Sequence, residues 1–132
     1  MISTFSDLLN MAVSQDQPQR LLFLFANAEG MKSSTSNKKK KKTQKGTITP
    51  VMCVDKLPQE IESFEALSEE ADTVNKGWNF ILIAGLSGTN NQPPSTEDAE
   101  PYLNQMVNGL ASGEDLSRYI IFDRDQNPIM MQ

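Results

Sequence analysis

RLLFLFA, residues 20–26, is apolar on both faces and too short for an amphipathic helix, so it reads as a central strand of a sheet. Ahead of it, Thr4 and Asp7 have the spacing of an acidic capping box. Phe5, Leu8, Leu9 and Ala12 then recur at helical spacing, so a short amphipathic helix is expected to end before Pro18.

Beyond the strand the pattern alternates. TITPVMCV (47–54) is β-rich, with Pro50 requiring either a start near Val51 or a place at an edge or bulge. Pro58 suits the first residue of a helix, in which Ile61, Phe64, Leu67, Ala71 and Val74 share one face and acids load the others. WNFILIAGL (78–86) reads as a second buried strand. Ser95 with Asp98 could cap a turn, but Pro101 would then lie inside the helix, so a helix is expected from near Glu100, with Pro101 in its first turn and Gly113 as its stop. RYIIFD (118–123) is a further strand, and DRDQNP is turn chemistry able to return Ile129–Met131 as an edge strand. Helices alternating with buried strands imply parallel crossover units. The expected fold is therefore one α/β domain over residues 1–132: a compact sandwich of about three helices on a mixed sheet of four or five strands.

Charge is unevenly placed along these 132 residues. Residues 31–46 hold seven of the 12 cations and no acid, which leaves five cations against 17 acids elsewhere. The body is near −12 and the lysine-rich segment near +7. SSTSNKKKKKTQKG (33–46) lacks residues able to pack, so 30–46 reads as a flexible loop inserted in the domain. An acidic body disfavours nucleic acid, and any such contact would fall to Lys38, Lys39, Lys40, Lys41 and Lys42.

Several chemistries are excluded or weakened. With no histidine, the commonest general base and the usual zinc ligand are missing. A lone cysteine, Cys53, forms no disulfide within the chain or CxxC pair, and in VMCV it reads as a small core residue. Neither a secretory signal nor an apolar run of membrane-spanning length is evident, so a soluble, cytoplasmic protein with no membrane partner is expected. GLSGT (85–89) completes neither a phosphate loop nor a nucleophile elbow. Trp78 reads as packing and the seven methionines as core filler and end residues rather than a metal site, and no cofactor is implied.

Strand ends hold the best ligand candidates. Asp55 and Asp123 each close an expected strand, and with parallel strands they would share one edge with Ser87 and Asn90, in position to hold a hard cation or small polar ligand or to act as acid and base. Aspartate is also a favoured turn residue, so turn chemistry is the competing reading at both positions.

QPQRLLFLFANAE (17–29), GTITPVMCVDKLP (46–58), the W-x-F-x-L-x-A-x-L-S-G strand from Trp78, and FDRDQNP (122–128) together resemble a family of small bacterial proteins often labelled "ribonucleotide reductase subunit alpha". The resemblance brings no catalytic residues to carry over. A catalytic reductase subunit needs a radical-bearing cysteine and a redox pair, so a chain with one cysteine is not that enzyme. Three functions follow in order: a non-catalytic interaction or regulatory module for a protein partner or a second copy; a small metal- or metabolite-binding domain or enzyme using Asp55, Ser87, Asn90 and Asp123; and nucleic-acid contact through the lysines.

Overall fold

A computed structural model describes residues 4–29, 47–112 and 119–129. Its elements are α1 (Phe5–Val13), β1 (Gln19–Glu29), β2 (Thr47–Lys56), α2 (Phe64–Val74), β3 (Phe80–Ser87), α3 (Thr96–Ser112), β4 (Ile120–Asp123) and β5 (Pro128–Ile129). The strands form one sheet in the order β2-β1-β3-β4-β5. The α/β class is as expected, and RLLFLFA does form the heart of the sheet.

All four ladders are antiparallel, which corrects the expected parallel crossovers. The physical reason lies in strand order. β1 and β2 pair as a hairpin, so when the chain returns through α2, β3 enters on the far side of β1. β3 thus runs parallel to β2 but bonds to antiparallel β1. The hairpin ladder extends to Glu29 and Thr47, which flank the lysine-rich 30–46. Lys38–Lys42 lie outside the described residues.

Alternation along β1 builds two cores. Leu21, Phe23 and Phe25 face α1 and α2, where Phe5, Phe64, Trp78 and Phe122 join them. Leu22, Leu24 and Ala26 face α3, against Ala99, Leu103, Met106 and Leu110. Phe5 links the first core through edge contacts, 5.4 Å from Phe64 and 6.2 Å from Phe122 between ring centroids. Such pairs add to simple area burial.

Local chemistry sets the element ends. Thr4 and Asp7 form the expected capping box: the Thr4 hydroxyl accepts from the Asp7 N–H at 3.1 Å, and the Asp7 carboxylate accepts from the Thr4 N–H at 3.3 Å. Pro50 sits on the outer strand beside a register shift opposite Phe25 and Ala26, so edge and bulge coincide. Pro58 opens only a 3₁₀ turn, Pro58–Glu60, because Ile61 is extended and Ser63 caps α2 by accepting from the Ala66 N–H. Val74, expected on the apolar face of α2, is 72% exposed at the helix's last residue.

α3 starts at Thr96, four residues ahead of the expected Glu100, with Pro101 inside it. Ser95 and Asp98 reciprocally satisfy each other's backbone N–H groups at 3.0 Å, and Ala99 is fully buried against the sheet. These gains offset the single hydrogen bond that Pro101, on an exposed face, cannot donate. Cys53 is likewise corrected from core to exposed, since β2 is the outer strand and leaves it incompletely covered.

The loop after β3 folds tightly. Asn90 and Asn91 both have positive φ, 53° and 64°, within a Thr89–Gln92 bridge, the backbone of a two-residue hairpin turn that asparagine tolerates. Gly88 lies so close beneath it that an added Cβ would stand 1.8 Å from the Gln92 carbonyl oxygen. Gly88→Ala is expected to destabilise the chain by about 2 kcal/mol, because only backbone can move aside. Urea denaturation measures the loss, and Gly77→Ala, where an added Cβ would meet only the Asn75 side chain, provides the milder comparison.

Candidate functional site

Antiparallel pairing divides the expected strand-end cluster. Asp55, opposite Leu22, and Ser87, opposite Gln19, share one end of the sheet with the 88–95 loop. Asp123 pairs with Phe80 at the other end, roughly 23 Å from Ser87 along β3. No shared edge joins the two acids.

Each candidate already has structural partners. The Arg20 guanidinium donates to Asp55 Oδ2 at 2.7 Å and, through Nε, to the Pro94 carbonyl at 2.7 Å. The Thr96 hydroxyl donates to the same Asp55 oxygen at 2.8 Å. Both charged side chains are only 13% exposed, so the network pins the loop and the start of α3 to the sheet. Ser87 Oγ accepts from Gln19 Nε2 at 2.8 Å, and no base stands beside it among these contacts. Asn90 supplies the left-handed turn. Asp123 Oδ1 accepts from the Asp125 and Asn127 N–H groups, both at 2.9 Å, with Gln126 at φ 66° between them. The turn reading accounts for the geometry at Asp123.

Cys53 faces the α3 side of β2 near Asp55. Partial burial, and secondarily the Asp55 charge, raise its thiol above the ordinary range, so reactive thiolate is scarce near neutral pH. Among the described residues, no group of three or more His, Cys, Asp or Glu gathers as a metal set, and no helix is long and apolar enough to cross a membrane.

The strongest polar cluster was not legible in the sequence. Arg124 lies 3.8 Å over the Trp78 ring centre, donates to the Trp78 carbonyl at 2.9 Å and the Lys76 carbonyl at 2.8 Å, and grips Asp72 at 3.1 and 3.3 Å. Trp78 Nε1–H donates to Asp72 at 3.0 Å. The stretch 72–78 is thus joined to Arg124, some 46 to 52 residues further on, and no local spacing announces that link.

Hydrogen bonding from Arg124 lowers the Asp72 pKa first, opposed by some desolvation and aided by Trp78. A lowered carboxyl pKa stabilises the fold above the unfolded value, about 4, and that stability drains away as pH falls through the folded value below it. Wild type is therefore expected to lose part of its advantage over Asp72→Asn when urea midpoints at pH 7 are repeated below pH 4.

One concave surface involves none of the charged groups above. β4 pairs β3 only from Phe80 to Ile83, so among the described residues Ala84–Ser87 pair on the β1 side alone. A groove of about 410 Å³ follows this edge, walled by Met11 of α1, by Gln15 just beyond it, and by Tyr102, Gln105 and Met106 of α3. Its described lining contains no charged side chain. Met11 and Tyr102, 48% and 47% exposed, are two of four large apolar residues left open to solvent among the described residues.

No family model, curated protein or solved structure matches the chain.

Proposed function

We propose that the chain is a non-catalytic interaction module that receives an apolar protein segment in the groove between α1 and α3. One observation carries this reading: the groove, whose described lining is uncharged, is flanked by exposed Met11 and Tyr102 on a chain whose body is strongly acidic. Solvent-facing apolar walls favour a protein ligand. The engagement of Asp55 with Arg20 and Thr96, and of Asp123 with its turn, favours binding over acid–base chemistry. A reducing, cytoplasmic setting suits the single exposed thiol.

The test is selection of neutral heptapeptides from a displayed library against the full chain. Selected peptides should lose at least about tenfold in affinity on the Met11→Asp/Tyr102→Ala protein while binding Cys53→Ser normally. Both groove residues are exposed, so the fold should survive, as circular dichroism would verify. A library yielding no binder, or binders indifferent to the groove change, would refute the reading.

A further inference from the structure

We infer that a pocket between α2 and the turn after β4 binds lysine ammonium groups, and that its occupant is the chain's own run Lys38–Lys42. This contact is separate from the groove between α1 and α3 and does not depend on the interaction reading above.

Glu65, Ser68 and Glu69 of α2 line this pocket, of about 350 Å³, together with Arg124 and Asp125. Arg124 brings no unmatched charge, because Asp72 already holds its guanidinium at 3.1 Å. Glu65, Glu69 and Asp125 are exposed and have no ion-pair partner among the described residues. Glu65 and Glu69 stand one helical turn apart, an arrangement of like charges that disfavours the helix until a cation joins them. On the same wall, the buried Ser68 Oγ has no hydrogen-bond partner. Buried polar atoms are seldom left so, and a donor entering the pocket would satisfy it. A lysine ammonium offers three donors and no acceptor, which suits carboxylates gathered with a hydroxyl.

Charge and tether length name the occupant. The cations among the described residues are Arg20, Lys56, Lys76 and Arg124. Arg20, Lys56 and Arg124 each already pair with a carboxylate, and Lys76 acts on Asp72. A cation for the pocket therefore comes from elsewhere in the chain, and residues 31–46 hold seven with no acid. That segment starts from the same end of the sheet as the pocket: Asp123 is level with Phe80, Phe80 with Ala26, and β1 runs on from Ala26 to Glu29. β2 stands three strand spacings from β4, about 14 Å, whereas the seven residues from Lys40 to Thr47 reach about 23 Å when extended. The run can thus cross the end of the sheet to α2.

Carbodiimide coupling of the full chain at low salt, followed by peptide mapping, tests the contact. Lys38–Lys42 should couple to Glu65, Glu69 and Asp125 at least about fivefold more than to Glu70, Glu97 and Glu100, and the preference should vanish near 1 M salt, where the screening length is about 3 Å. Even coupling over all these acids, or coupling indifferent to salt, would overturn the proposal. In a mixture of isotope-labelled and unlabelled chains, each coupled pair should carry a single label. Mixed labels would make a second copy the occupant and overturn it as well. A second measurement uses no coupling reagent. The joint substitution Lys38→Gln, Lys39→Gln, Lys40→Gln, Lys41→Gln and Lys42→Gln alters none of the described residues, so the fold should persist. Amide resonances of Glu65–Glu69 and Asp125–Gln126 should shift while those of Glu97–Glu100 stay. Unchanged resonances along α2 and the turn would refute the contact.

Discussion

Trp78→Ala is expected to lower the unfolding free energy by about 4 kcal/mol, a fall of roughly 15 °C in Tm for a domain of this size. The indole is 1% exposed and meets Phe25 edge-on at 5.1 Å, so truncation opens a cavity in the aromatic core. Its loss also strips the surface beneath Arg124 and the donor to Asp72. Trp78→Phe keeps most of the apolar area but not the Nε1–H, and should cost about 1 to 2 kcal/mol. Equilibrium urea unfolding of both variants measures the two parts. Equal losses would mean that the polar clamp, and not ring volume, dominates.

Asp55→Ala is expected to cost about 3 kcal/mol, because it leaves the nearly buried Arg20 guanidinium without its counter-charge. Arg20→Met combined with Asp55→Ala should recover more than half of that loss, since no isolated charge then remains in the site. Such recovery marks a structural pair. If Asp55 instead served a ligand, removing Arg20 as well would not restore stability. The exposed Lys56–Glu70 pair, 3.0 Å apart with Glu70 55% exposed, should contribute well under about 1 kcal/mol by the same measurement.

Local patterning carried much of the fold. The capping box at Thr4, the two-faced strand at Arg20–Ala26, the edge or bulge at Pro50 and the apolar stripe of Phe64, Leu67 and Ala71 each depend on residues close in sequence. Where near-equal local choices competed, reading was less secure. Ser95–Asp98 and Pro101 offered two starts for α3, and burial of Ala99 with the Thr96–Asp55 bond favoured the earlier one. Cys53 failed as a core residue because an apolar neighbourhood in sequence does not reveal which strand lies outermost.

The candidate site was legible only as a list of chemically able residues. Asp55, Ser87, Asn90 and Asp123 do stand at strand ends or turns, but their grouping assumed parallel strands. The groove at Gly85 had no sequence signal, since its described walls come from elements far apart in the chain, α1 and α3.

By itself, the sequence determined the secondary-structure alternation, the two-faced central strand, the separation of a +7 segment from an acidic body, and the absence of histidine chemistry. Only the tertiary structure decided the antiparallel order, the pairing of Asp55 with Arg20, the clamp of Arg124 on Trp78 and Asp72, and the groove between α1 and α3. The physical reason is range. Capping and periodicity act over three or four residues, whereas the lane a returning strand occupies depends on packing both cores at once.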